Sequence, residues 1–160
     1  MLDEITALLD RMRELEPEVY VYGSAPEDAI RELEAAFGER MPPSYRAFLT
    51  HFGGASILDS SYSGIIDGKI KEGRGWAWSD TLTAREECQL APHLLVVGPD
   101  EDGFNCLDFS RRTPDGECPV VYQWPHLRQP DLVAASYGAW LAENLRCMIA
   151  AWIRRKGQEL

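Results

Sequence analysis

The sequence predicts an α+β domain, in which an antiparallel or mixed β-sheet is flanked by N-terminal helices and a long C-terminal helix. Apolar residues recur at helical spacing near both ends of the 160-residue chain, and the middle carries short β-branched and aromatic runs. Asp-Gly pairs separate these runs, and such pairs favour the turns of β-hairpins. Helix-rich ends around an antiparallel sheet are typical of a layered α+β architecture, and the length predicts one domain over residues 1–160.

Two helices are predicted at the start of the chain. Leucine, isoleucine and methionine recur at helical spacing over residues 2–15, which predicts the first helix. Ser24 and Glu27 have the spacing of a capping box, which predicts a second helix near residues 26–37. Gly38 follows that helix, where a glycine can adopt the left-handed conformation that ends it.

A third helix and a long loop are predicted next. Aromatic residues and leucine fall on one helical face over residues 43–52, with proline in the first turn and a Gly-Gly pair after the last residue. Residues 57–75 are rich in glycine, serine and aspartate, which predicts loops with one or two short strands. A second capping box, residues 83–86, predicts a short helix that begins there and ends near Pro92.

Three strands are predicted in the middle of the chain, at residues 94–97, 104–109 and 119–124. The connector between the first two is Asp-Glu-Asp-Gly at residues 100–103, and the connector between the last two contains Asp-Gly within residues 113–116. Both connectors favour tight turns, so the three strands are expected to form an antiparallel meander.

The end of the chain is predicted to form the long helix. Asp131 has the position of an N-cap, and the helix is expected to run to about Arg155. The residues expected on its buried stripe are Val133, Tyr137, Trp140, Leu141, Asn144, Met148 and Trp152.

The charge of the chain restricts the classes of partner. Lysine and arginine number 16 and aspartate and glutamate 26, which gives a formal net charge of −10. Nucleic acids and anionic membranes are bound mainly through lysine and arginine, so neither is an expected partner. A basic protein would be attracted to this charge, although in many acidic domains the charge serves solubility alone.

Three features predict a cytoplasmic protein. The acidic N-terminal segment lacks the pattern of a signal peptide. No apolar run is long enough to cross a bilayer. The four cysteines are widely spaced, and a domain of this length needs no disulfide framework.

The sequence offers no set of residues that makes a good active site, so we expect no catalytic residues, no metal site and no cofactor. His51, His93 and His126 lie outside the known motifs for nucleophilic, metal or phosphate chemistry. The cysteines and histidines also lack the paired spacing of a zinc site. One enzymatic alternative stays open: Cys88 lies five residues before His93, and a hydrolase could be centred on this pair.

An ordered set of motifs resembles the SUKH superfamily, the Smi/Knr-like proteins. The first is the run Ile30-x2-Leu33-Glu34-x2-Phe37-Gly38-x2-Met41-Pro42-x2-Tyr45-x2-Phe48-Leu49-x3-Gly53-Gly54. The strand core of the superfamily is similar to Leu95-Val96-Val97, Cys106-Leu107-Asp108 and Asp115-Gly116-Glu117-Cys118-Pro119-Val120-Val121. The resemblance covers about residues 24–145 and is closest to YobK-like bacterial immunity proteins, whereas the loop over residues 56–78 matches no motif of the family.

The resemblance implies a function without catalysis by this chain. Many members of the superfamily are immunity proteins that neutralise polymorphic toxins, often nucleases, and an immunity protein would occlude the active site of its toxin. A nuclease active site is basic, so an acidic inhibitor fits this role. Eukaryotic relatives are regulators and scaffolds in cell-wall signalling, so a regulatory or scaffold module that binds a cellular protein is the alternative. Self-association is left open.

The residues expected to bind the partner are tryptophans and acids. Trp76 and Trp78 lie at alternating positions in a Gly-rich, polar segment, which favours exposure, and tryptophan is common among interface hot spots. The acidic candidates are Asp67, Glu72, Asp80, Glu86, Glu87, Asp100, Glu101 and Asp102. Aromatic residues with the spacing of a buried stripe are instead expected in the core, namely Tyr45, Phe48, Phe52, Tyr137 and Trp140.

Overall fold

The computed structural model describes residues 2–158 and has the predicted α+β architecture, with two antiparallel sheets and a C-terminal helix. Positions 1, 159 and 160 of the expected domain lie outside the described residues. The helices are α1 Leu2–Leu15, α2 Glu27–Phe37, α3 Pro43–Phe52, α4 Ala77–Cys88 and α5 Tyr137–Gln158. The strands are β1 Val19–Val21, β2 Ala55–Ile57, β3 Ser60–Tyr62, β4 Leu94–Pro99, β5 Phe104–Asp108, β6 Val120–Gln123 and β7 Asp131–Ala134.

The strands form two sheets that meet at β3 and β4. The smaller sheet has the order β1-β2-β3, and the larger is a meander with the order β4-β5-β6-β7. Cys106 of β5 lies opposite Val121 of β6, so the predicted pairing of the second and third strand runs is confirmed. The main-chain N–H of Ser63, directly after β3, donates to the carbonyl of Val97 in β4 at 2.9 Å and so ties the sheets together.

Strand β4 separates two apolar clusters. Leu95 and Val97 point into the main core, which α1, α2, α3 and α5 also line. Leu94 and Val96 point to the opposite face and pack with Ala84 of α4 in a smaller cluster. Successive side chains of a strand point to opposite faces, so a strand that is apolar at every position is the expected solution for a sheet covered on both sides.

The helices before the sheet confirm most of the predicted boundaries but not the first capping box. The N-cap of α2 is Pro26, two residues after Ser24, and no side-chain cap hydrogen bond forms at this N-cap. Gly38 has a φ of 97° and closes α2 as predicted. At the end of α3, a Cβ atom on Gly53 would lie 2.1 Å from the carbonyl oxygen of Gly23, so the close approach of two chain segments requires a glycine there.

Helix α4 begins earlier than predicted. It starts at Ala77, and Thr83 is a residue of its interior rather than its N-cap. Thr81 donates its hydroxyl proton to the carbonyl of Ala77 at 2.7 Å, and its hydroxyl oxygen accepts from the N–H of Val96 at 2.9 Å. The contact between Thr81 and β4 therefore sets the position of α4. A local capping pattern in the sequence does not show where this helix begins.

The prediction that a helix begins at Asp131 is wrong. Residues 131–134 form β7, which pairs with β6, and Val133 lies on this strand with 47% of its surface exposed instead of on a buried helical stripe. Helix α5 begins at Tyr137, and the hydroxyl of Ser136 accepts from the N–H of Ala139 at 3.2 Å. Ser136 thus supplies the cap that the sequence assigned to Asp131.

No helix within residues 2–158 is long and apolar enough to cross a membrane.

Candidate functional site

The two tryptophans predicted as exposed anchors are not exposed in the same way. Trp78 is only 9% exposed and packs edge-on against Phe37, with ring centroids 6.4 Å apart. The guanidinium of Arg85 covers the Trp78 ring at 5.1 Å from its centroid. Trp76 is half-buried, and its Nε1 donates to the carbonyl of Ile66 at 3.2 Å. The expectation that Trp78 lies on the surface is therefore wrong, because the segment is a helix start and not an extended loop.

Asp80 is also withdrawn from the surface. Its side chain is buried and accepts from the hydroxyl of Ser63 at 2.5 Å and from the N–H of Gly75 at 3.2 Å. Burial raises the pKa of the Asp80 carboxyl, and the hydrogen bond from Ser63 opposes that rise. The carboxyl holds the start of α4 against the segment that leaves β3, which is a structural role.

Four other acidic candidates are exposed but lie in different parts of the chain. Asp67 lies in a turn with a φ of 57°, and Glu72 pairs with Lys69 at 2.5 Å. Glu86 and Glu87 are exposed near the end of α4. Binding of a partner by these four residues stays a prediction.

The turn between β4 and β5 carries the three other acidic candidates, all of them exposed. One carboxylate oxygen of Asp100 accepts from the N–H groups of Asp102 and Gly103, at 2.9 Å each, and so shapes the turn. The same oxygen accepts from the hydroxyl of Tyr122 on β6 at 2.6 Å. Burial raises the pKa of Tyr122, and the hydrogen bond to Asp100 raises it further, so the phenol remains a donor at neutral pH.

Trp124 lies beside this turn and was not predicted as a binding residue. It is 40% exposed, and its ring meets the Tyr122 ring edge-on at a centroid distance of 4.8 Å. Its Nε1 donates to a carboxylate oxygen of Asp131 at 3.1 Å, which fixes the ring at the start of β7. The available sequence signal was a Trp-Pro pair where a strand passes into a polar loop, a place where a core rarely extends.

These residues form one surface, which we term the acidic–aromatic patch: Asp100, Glu101, Asp102, Tyr122, Trp124 and Asp131. The chain reverses direction at each connection of the meander, so the β4–β5 turn and the β6–β7 segment lie at the same end of the sheet. Gly103 allows the turn to lie close to β6, since a Cβ atom there would stand 2.6 Å from the carbonyl oxygen of Gln123. The patch combines four carboxylates with an exposed tryptophan that is held in place by hydrogen bonding.

A cavity of about 640 Å³ near α3 and the 113–117 turn is a weaker candidate. Arg46 and Arg112 line it, which would suit an anion. Their charges are already matched, because Arg46 pairs with Glu27 at 2.5 Å and Arg112 lies 3.6 Å from Glu39. These two arginines therefore have little free positive charge to offer an anionic ligand, and Arg40 is the lining cation without an ion pair among the described residues.

The residues of the hydrolase alternative do not form a dyad in this structure. Cys88 ends α4, and the structure places no hydrogen bond between Cys88 and His93 anywhere in the described range. His93 instead lies with its Nε2 3.9 Å from a carboxylate oxygen of Asp108. Across residues 2–158, no group of three histidine, cysteine, aspartate or glutamate side chains could hold a metal ion.

The fold and the motif order agree with a known family. The family model described as SMI1-KNR4 cell-wall (SUKH_5) matches residues 5–146. The chain belongs to the SMI1-KNR4 family. The SMI1-KNR4 match extends from the first turn of α1 into α5, so it includes the whole acidic–aromatic patch. It confirms the SUKH resemblance at the level of the superfamily. A search of curated proteins found no match.

Proposed function

We propose that this SMI1-KNR4 chain is a non-enzymatic protein-binding domain, an immunity protein of the YobK-like kind that neutralises a cognate bacterial toxin. The observation that carries this proposal is the acidic–aromatic patch. The toxin domain is basic, as a nuclease domain is, and the immunity protein covers its active site. The four cysteines are unpaired, which supports action in the reducing cytoplasm.

The patch has the two chemical features that such a partner requires. Glu101, Asp102 and Asp131 are exposed carboxylates in a chain of net charge −10, and they attract a basic surface before contact. Trp124 presents part of an aromatic ring on which an arginine side chain of the partner can stack. An exposed tryptophan held by a hydrogen bond loses little further freedom on binding, which favours a slow dissociation rate.

Inhibition by this mechanism needs no chemistry from the immunity protein. A nuclease holds phosphates with arginine and lysine, so an acidic surface that covers those side chains competes with the nucleic acid directly. Carboxylates outside the apolar contact accelerate association, whereas the tryptophan lowers the dissociation rate.

A second function is a regulatory or scaffold module that binds a cellular protein. The description of the matching family as cell-wall favours this alternative. Both functions use protein binding, and they differ in the partner and not in the chemistry of the surface.

The gene neighbourhood and one variant test the proposal. The toxin domain encoded directly upstream should bind the purified chain, and coexpression should restore growth to cells that make the toxin domain. Trp124→Ala should weaken the complex by about 2 kcal/mol or more, the range of interface hot spots. Tyr20→Ala is the matched control, because Tyr20 is a 59% exposed aromatic residue on β1, and it should leave binding unchanged. Equal affinity of both variants would refute the role of the patch.

A further inference from the structure

The β7 strand is an open edge of the larger sheet. β6 is the only strand that pairs with β7 within residues 2–158, so the outer side of β7 has no strand partner. The opposite edge is different, because the main chain of β4 is bonded to residues outside its sheet. Val97 accepts from the N–H of Ser63, and Val96 donates to the hydroxyl of Thr81.

The side chains of β7 leave this edge apolar on both faces. Leu132 is 64% exposed and Val133 is 47% exposed. Leu132 lies opposite Val121 of β6, so it extends the apolar face that α4 covers further along the sheet. Proteins usually protect an edge strand with charges or proline, because its free N–H and C=O groups pair readily with another chain. β7 has one charge, Asp131, at its first residue, Pro130 directly precedes it, and a register shift interrupts its pairing with β6 between Val120 and Val121. Leu132 and Val133 nevertheless stay exposed along this edge.

We propose that the outer edge of β7 accepts an extended, basic segment of the partner as an added strand. For a toxin partner, this inference rests on the proposed function, and it specifies how the partner is held. Main-chain hydrogen bonds would join the segment to β7, and its apolar side chains would lie beside Leu132 and Val133.

The charge of the neighbouring patch decides the chemistry of the segment. Asp131 begins β7, and the turn with Asp100, Glu101 and Asp102 lies at the same end of the sheet. A lysine or arginine near that end of the added strand would lie beside Asp131, and the acidic turn further along the same end of the sheet would add to the attraction. A second copy of this chain is the less suitable occupant, because each copy carries a net charge of −10 and the same acidic patch.

The length of β7 fixes the length of the segment. Its four residues span about 13 Å at roughly 3.3 Å per residue, which matches an added strand of about four or five residues. In a regular antiparallel pair, every second residue directs both its N–H and its C=O to one neighbour, and in β7 the register shift near Val133 interrupts this alternation. The amide protons that point outward exchange with water in the free chain, and an added strand would protect them.

A synthetic peptide and amide hydrogen exchange test the proposal. The probe is a peptide of about ten residues in which lysine alternates with valine, and the matched control peptide has glutamate in place of lysine. The lysine peptide should slow exchange at residues 131–134 by about tenfold or more, and the glutamate peptide should not. Failure to bind at millimolar concentration would refute the proposal, as would equal binding of both peptides or protection confined to other strands. Protection of residues 131–134 that depends only on the concentration of this chain would identify the edge as a contact between two copies instead.

Single variants distinguish peptide binding at the β7 edge from non-specific binding to exposed apolar residues. Leu132→Asn should weaken peptide binding about tenfold, and Val133→Asn should weaken it in the same direction. Leu127→Asn is the matched control, because Leu127 is 58% exposed in the loop before β7, and it should bind the peptide normally. Equal loss in the Leu127 and Leu132 variants would overturn the strand-addition geometry.

The same exchange measurement separates this inference from the proposed function. A toxin complex that forms but leaves residues 131–134 unprotected would refute strand addition and leave the immunity function intact. Absence of any toxin complex, together with protection by the lysine peptide, would refute the proposed partner and keep the edge as a binding site for basic strands.

Discussion

Truncation of Trp140 tests whether the aromatic residues of α5 form core or interface. Trp140 is 4% exposed, and its ring lies 5.5 Å from Tyr62 and 5.4 Å from Tyr137, measured between ring centroids. It also packs against Gly98, where an added Cβ would stand 2.9 Å from the indole. Trp140→Ala removes these contacts at once and leaves a cavity at the junction of the two sheets.

The expected loss is large compared with the stability of the domain. Truncating a buried aromatic residue costs about 3–5 kcal/mol, against about 5–15 kcal/mol for the whole free energy of unfolding. For a chain of this length, that loss corresponds to a decrease in Tm of roughly 6–20 °C. Urea and thermal unfolding, followed by circular dichroism, measure both quantities.

Trp124→Ala is the matched control for this measurement. Its ring is 40% exposed, so its removal should change the free energy of unfolding by about 1 kcal/mol or less. Trp140→Ala should thus lower the stability of the fold, whereas Trp124→Ala should weaken partner binding and leave the fold stable. An unchanged Tm for Trp140→Ala, with loss of partner binding, would show that the α5 aromatics are an interface and that the core is wrongly assigned.

Three further outcomes are expected. The double variant with Glu101→Gln and Asp102→Asn should bind a basic partner with a lower association rate constant than the original chain. High salt should remove this difference, and stopped-flow kinetics at two ionic strengths measure both rate constants. Gly103→Ala should destabilise the fold by about 1–3 kcal/mol in urea unfolding, because its Cβ would overlap β6, and an unchanged midpoint would contradict the close approach. Burial raises the pKa of Tyr45 and Tyr137, so their contribution to stability is complete below pH ~10 and is lost as the pH rises further. A flat unfolding midpoint between pH 9 and pH 12 would argue against this burial.

The parts of the fold that the sequence predicted are those with strong local signals. The Asp-Gly pairs predicted the β4–β5–β6 meander, and Gly116 has the positive φ expected of such a turn. Gly103 does not have a positive φ, and a glycine is required there by its close approach to β6. Gly38 predicted the end of α2 because its φ of 97° is unfavourable for other residues.

The parts that failed depend on contacts between distant segments. Trp78 has polar neighbours in sequence, but α4 turns it onto Phe37, which lies on another helix. Residues 132–134 carry apolar side chains that fit a helix stripe or an edge strand equally well, and the pairing with β6 decides between them. Trp124 lies near the acidic turn because its ring contacts Tyr122 on β6 and donates a hydrogen bond to Asp131 on β7. These contacts depend on strand pairing, so no local sequence pattern predicts the patch.

The patch is carried by two connections of one meander, the β4–β5 turn and the segment between β6 and β7, together with Tyr122 on β6 and Asp131 at the start of β7. The apolar clusters on both faces of β4 are built from other positions, so these two connections can change in composition, apart from Gly103, while the scaffold keeps its stability. Exchange of these two segments alone should therefore retarget the domain to a new partner. Such modular divergence would let one scaffold serve several partners.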